Sequence, residues 1–403
     1  MSENQFLEEF YKLVTPVDKW VGEPPSLKEI FEERLKQYDI TQNQAENLLN
    51  MEKRTLNGIL DKSVQRVDVI NILKLGQFLG LDPGTLFKVY LNEISSDMIA
   101  ELENARKKSF IVANFDVKAL SKFGFLSTKT DFEEIEKRIC TFLGLKNIYE
   151  YPNKNYIPAF SKTKKSTSSL MREFWVRSAY IHFEKIDNPN EYQREKLMEL
   201  IPKIRPYTRN VEQGLKIVSQ ALYNIGVTVI YQPHLPTTQV RGATFIINDK
   251  PCITLTDLNK NYATMWFALL HEIYHVLFDF EEIKKQVFHL TGETDLFLLH
   301  EESANDFSRD FLFSTEKTNY IAPFIGTPPL VSEYAKECQI HPYIIYNFYC
   351  YDMEKNGRGS YWARFQHARP ELKLALRGLN INSFNNETID KTVKELKETI
   401  FNI

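Results

Sequence analysis

The chain has 403 residues, 43% hydrophobic and 26% charged, enough to bury more than one core, and it reads as two or three domains. A formal net charge of −3 excludes a global attraction to nucleic acid or anionic membrane, so any DNA contact has to be local. Four cysteines, Cys140, Cys252, Cys338 and Cys350, form no C-x-x-C pair, which argues against a cysteine zinc site and a disulfide framework and fits a reducing cytoplasm.

In chain order, the leading segment 1–25 carries no basic stretch followed by an apolar one, and nowhere does the sequence approach the roughly 18 apolar residues of a membrane span. A cytoplasmic protein without a membrane partner is expected. GEPPS, residues 22–26, reads as a linker whose Ser26 can cap the next helix. SLKEIFEERLKQYDI follows with an apolar stripe at Leu27, Ile30, Phe31 and Leu35. TQNQAENLLN, EKRTLNGILD, VDVINILKLGQFLGL and DPGTLFKVYLNE read as four more short helices, and their tight connections predict an all-helical domain over 26–95.

Residues 40–62 resemble the helix-turn-helix of phage-repressor-like regulators, with Ala45 as the small residue of the tight crossing. The resemblance implies that Gln42 bonds phosphate, that Lys53, Arg54, Thr55 and Asn57 face the major groove, and that Lys62 lies near the backbone. Because 26–95 holds at least as many acids as bases, and Glu46, Glu52 and Asp61 lie close to the contact face, weak binding to operator DNA is expected unless the chain is a homodimer. The same fold also serves protein contacts.

Residues 96–165 read as a helical linker region ending in the polar YPNKNYIPAFSKTKKSTSS, a domain boundary in which KTKK is a solvated run. From 166 to 375 come the helices LMREFWVRSAYIHFEKI and NVEQGLKIVSQALYNIG, then the strand-like runs VTVIYQ, ATFIIN and CITLT, then an apolar helix and three further helical stretches. The end, 376–403, closes with an amphipathic helix without an evident partner. Trp175, Tyr180 and Tyr262 read as core. His182, His234, His289, His300, His341 and His367 read as packing or surface residues, of which His234 and His341 could steady an oxyanion.

The apolar helix, WFALLHEIYHVLFDF, places His271 and His275 four apart on one face, with Glu272 beside them. Polar groups in such a helix are costly unless satisfied, and H-e-x-x-h spacing suits two imidazoles on Zn²⁺ with the glutamate as general base. A catalytic zinc takes three protein ligands, and the third has three candidates: Asp279 on the same helix, and Glu301 and Glu302 at the start of a second helix. A carboxylate from a second helix closes a tetrahedron more naturally than three turns of one helix, so spacing favours Glu301 or Glu302 without deciding between them.

ITLTDLNKNYATMWFALLHEIYHVLFDF, then EESANDFSRDFLF, then ECQIHPYIIYNFY resemble, in register, three motifs of the ImmA/IrrE family of metallopeptidases, over roughly residues 170–370. That family's second motif falls on Glu301, Ala304, Asn305, Phe307 and Ser308, so the resemblance implies Glu301 as the third ligand, and IHPYII, residues 340–345, matches the later segment. The sequence departs from the pattern at Tyr274, where many members have glycine, at Ser303, where a second glutamate is common, at Ser308, and at the Leu312–Phe313–Ser314 end of the second helix. Asp279 stands where many have histidine, which suggests a role beside the ligands or toward substrate.

The fold class expected is α+β and mostly helical: an all-α helix-turn-helix domain, a helical linker region and a zincin-like metallopeptidase domain with a small β-sheet. The function the resemblance implies is a zinc-dependent intracellular endopeptidase that cleaves a repressor and so switches on stress, mobile-element or toxin–antitoxin genes. An alternative from another class is a DNA-binding regulator or antitoxin-like protein whose peptidase fold senses a metal or partner without hydrolysis.

Overall fold

Helix starts in the first third of the chain are written locally. Ser26 and Glu29 form a reciprocal capping box, as do Thr41 and Gln44, and each satisfies backbone N–H groups that would otherwise be orphaned. The computed structural model describes residues 25–64, 66–92, 96–152, 167–258, 260–286, 288–291, 300–379 and 383–401. The leading segment 1–24 and the polar boundary stretch over 153–166, KTKK included, lie outside the described residues. By its internal contacts the chain divides into two units, Met1–Phe110 and Ile111–Ile403.

The first unit contains α1 (Leu27–Tyr38), α2 (Gln42–Leu49), α3 (Lys53–Leu60), α4 (Val69–Leu79) and α5 (Pro83–Asn92), the five helices expected. Their apolar stripes meet in one core around Leu27, Phe31, Leu56, Leu75 and Leu86. Ala45 is fully buried in it. Asn50, in the left-handed region at φ 46°, ends α2 and turns the chain into α3.

The units divide within α6 (Ser96–Asn114). The second continues through α7 (Val117–Phe123), α8 (Phe132–Leu143), α9 (Thr167–Ile186), α10 (Arg194–Ile204) and α11 (Gly214–Tyr223). A mixed sheet follows: β1 (Thr228–Tyr231), β2 (Gly242–Ile247), β3 (Lys250–Leu255) and β4 (Phe288–Thr291), in the order β1-β3-β2-β4. β1 runs parallel to β3, whereas β2 is antiparallel to both β3 and β4. Asn248 and Asp249, both at positive φ, make the two-residue turn between β2 and β3, residue types suited to a primed hairpin turn. The first three strands are those expected from the sequence, and β4 was not read there.

Between β3 and β4 lie α12 (Tyr262–Phe278) and α13 (Phe280–Gln286), and after β4 come α14 (Glu301–Phe313), α15 (Thr315–Ile321), α16 (Pro328–Glu337), α17 (Pro342–Lys355) and, near the end, α18 (Ile389–Leu396). α12 packs on β2 and β3 and also on α14. The partner of the final amphipathic helix is α9, with a Lys185–Asp390 ion pair at 2.6 Å, and beyond the helix Phe401 stacks on Tyr223 of α11. Phe125, Phe142, Phe174 and Phe384 cluster where the helical region, α9 and the C-terminal segment meet. Arg138 donates there to the carbonyls of Phe384, Asn386 and Glu387. No helix among the described residues is long and apolar enough to cross a membrane.

Candidate metal centre

Asn261 starts α12 by accepting from the N–H groups of Ala263 and Thr264, and the helix then runs through the interior. His271, Glu272 and His275 are at most 1% exposed. The two imidazoles face each other, Nε2 to Nε2 at 3.1 Å. α14 closes onto them through Phe307, which lies against Tyr274 and Phe278, while Ala304 and Ser308, both fully buried, keep that helix slim. Its first residue, Glu301, thereby brings Oε2 to 3.3 Å from His271 Nε2 and Oε1 to 3.4 Å from His275 Nε2. These three side chains form a group able to hold a metal ion, with ligand atoms all within 4.8 Å of one another.

The three side chains turn lone pairs toward a common space that a metal ion could occupy. With ligand atoms about 2.0–2.1 Å from a tetrahedral ion, neighbouring ligand atoms stand about 3.3–3.4 Å apart. The two imidazole nitrogens stand 3.1 Å apart, and the carboxylate brings Oε2 to 3.3 Å from one and Oε1 to 3.4 Å from the other, close enough for the two histidines and one oxygen of Glu301 to share an ion. The remaining candidates are placed elsewhere. Asp279 lies behind His275 and accepts from its Nδ1 at 2.7 Å, so it orients the imidazole and leaves Nε2 for the ion. His300 Nδ1 holds the other oxygen of Asp279 at 2.9 Å. Glu302 is exposed.

Glu272 turns toward the sheet. Thr244 Oγ1 of β2 donates to its Oε2 at 2.7 Å, and its Oε1 is buried without a hydrogen-bond partner among the described residues. Gly242 makes this position possible, because a Cβ there would stand 2.4 Å from Oε1. A small surface pocket lined by Arg241, Thr256, Asn261, Thr264 and Ala268 among others lies beside the first turns of α12.

The cluster's electrostatics follow from its burial and its carboxylates. Burial pulls the His275 imidazolium down, but Asp279 and Glu301 outweigh it and raise the pKa to about 9. Glu301, which burial alone would push up, is held well below the usual carboxylate range by His271, His275 and His289. A group whose pKa is raised keeps its proton below that value, so at neutral pH the metal-free cluster carries one on His275. Metal uptake should therefore release about one proton per ion near pH 7.5, and the release should fade as pH rises past about 9. Calorimetry in buffers of different ionisation enthalpy reads this directly, and proton release that stays constant from neutral pH to well above 9 would contradict it.

Sequence reasoning missed His289. It lies on β4, is 4% exposed and bonds Glu301 Oε1 through Nε2 at 2.7 Å. The two histidines singled out for an oxyanion role do other work: His234 Nε2 bonds the carbonyl of Thr238 in its own loop, and His341 caps α17 by accepting from Tyr343 N–H. Trp175, Tyr180 and Tyr262 are buried. His182 is buried in α9, where its Nδ1 meets the Ser178 carbonyl.

In the first unit, Lys53 and Arg54 are exposed on the opening turn of α3, and Thr55 and Asn57 are half-buried. Gln42 donates to Asn57 Oδ1 at 2.7 Å and to Glu46 Oε1 at 3.0 Å, so two of the residues assigned to DNA clamp α2 to α3. Comparison with known proteins returns no matching family model, no matching curated protein and no matching solved structure.

Proposed function

We propose that the chain is a zinc-dependent endopeptidase of the ImmA/IrrE kind, carrying a helix-turn-helix module and acting on a repressor. The observation that carries this reading is the convergence of His271, His275 and Glu301, from two helices, beside a buried glutamate that is not one of the three. Bound zinc would supply Lewis acidity, polarising a peptide carbonyl and bringing the pKa of water near neutrality. His271 and His275 would hold the ion through Nε2 and Glu301 through its carboxylate. Asp279 keeps the Nδ1 proton on His275, which fixes the tautomer that offers Nε2. Thr244 occupies one oxygen of Glu272, leaving Oε1 to take a proton from water and pass it to the leaving amine. The apolar residues around the pair, Leu269, Leu270, Ile273 and Val276, keep bulk water out.

The test is a comparison in the native host of wild type with Glu272→Gln, which should bind its substrate without turning it over. A repressor-like protein held by the variant and clipped beside the wild type supports the peptidase. Identical co-purifying proteins and no clipped fragment would reject it in favour of metal or partner sensing.

The helix-turn-helix is proposed to bind operator DNA at the promoter of its own operon, supported by the exposed Lys53 and Arg54 at the start of α3. Arg54→Ala is expected to weaken specific binding by about 1–3 kcal/mol. Fluorescence anisotropy with promoter DNA measures it, and a Lys53→Ala/Arg54→Ala double variant that binds as tightly as wild type would remove DNA from the account.

A further inference from the structure

The β2–β4 ladder pairs Thr244 with His289 directly across the sheet. Directly opposed residues project to the same face. Thr244 is fully buried and His289 nearly so. Each holds one carboxylate of the site: Thr244 Oγ1 bonds Glu272 Oε2 at 2.7 Å and His289 Nε2 bonds Glu301 Oε1 at 2.7 Å. Because a carboxylate only accepts, the proton in the second bond sits on His289 Nε2.

We infer that this cross-strand pair is the positioning element of the metal centre, with His289 fixing the third ligand and Thr244 fixing the base. The inference rests on the metal-centre reading above. Glu301 needs such a support more than the two histidines do. Its side chain is 41% exposed, whereas those of His271 and His275 are at most 2% exposed and locked in the helix interior. A half-exposed glutamate on the first turn of a helix has several rotamers available, and ordering it for an ion costs conformational entropy. With Oε1 engaged by His289, the carboxylate plane is set and Oε2 stays beside His271. His289 also lies with its ring 4.5 Å from that of His275, so the same side chain buttresses one imidazole while it holds the carboxylate. β4 is thus joined to the chemistry through one residue.

The experiment is competition of the full chain against a chromophoric chelator for Zn²⁺ alone. His289→Ala is expected to weaken affinity by about 10–100-fold, the usual effect of removing a group that orients a ligand. His289→Gln, whose amide can donate from nearly the same place, should recover most of the loss. Leu290→Ala, a buried neighbour on β4 that holds no group of the site, should bind Zn²⁺ as wild type does. Unchanged affinity in His289→Ala, no recovery in His289→Gln, or an equal loss in Leu290→Ala, which would mark simple damage to sheet packing, overturns the proposal. A wild-type chain with no affinity for Zn²⁺ overturns the metal-centre reading itself, and this inference with it.

Discussion

Glu272→Gln is expected to retain its metal and to lose hydrolysis by about 10²–10⁴-fold, the contribution of a positioned proton acceptor. Gln keeps the size of the side chain, and its carbonyl oxygen can still accept from Thr244 Oγ1, so the β2 contact at 2.7 Å survives. What disappears is the second carboxylate oxygen, the buried Oε1 next to Gly242, which no described residue occupies with a hydrogen bond. The loss should therefore fall on kcat with little change in KM, since Glu272 is not proposed to bind substrate. Rates of fragment formation from the protein that the variant captures, measured with both purified enzymes, give the comparison. A variant that cuts at the wild-type rate would remove Glu272 from the chemistry.

Removal of a ligand is expected to act more completely on the metal than on the fold. His271→Ala, His275→Ala and Glu301→Ala should each leave less than about a tenth of the wild-type metal, because two protein ligands are too few to hold a tetrahedral ion against competing buffers. Glu302→Ala should keep full occupancy, as Glu302 is exposed and stands outside the cluster. Asp279→Ala should fall between, weakening affinity by about 10–100-fold through loss of the bond that orients His275. Elemental analysis of the purified variants orders the three carboxylates. Full metal in Glu301→Ala together with loss in Glu302→Ala would reassign the third ligand.

The parts of the molecule legible in the sequence are those set by neighbours in the chain. Ser26 with Glu29 and Thr41 with Gln44 mark helix starts, and the apolar stripe from Leu27 to Leu35 marks the face that the first core covers. The His271–His275 pair is equally local, since four residues of helix place both rings on one side. Glu301 was different. Spacing alone left it level with Glu302, the family resemblance singled it out, and in the fold Phe307, Ala304 and Ser308 seat α14 on α12 with the first of the two glutamates toward the histidines. Asp279 shares the helical face of the histidines, as spacing suggests, yet it meets His275 at Nδ1 rather than beside Nε2. β4 and His289 carried no local signal, because a four-residue strand is defined by its pairing with β2. The support of the last helix by α9 is likewise a contact between residues more than two hundred positions apart, beyond any periodicity.

The measurement that bears most directly on the metal centre is the metal content of the full-length chain purified without added metal. About one zinc per chain is expected, removable by chelator and restored by Zn²⁺, with none held by a His271→Ala/His275→Ala double variant. A wild-type chain that carries no transition metal and takes up none, or a double variant that keeps its zinc, would contradict the account at its centre.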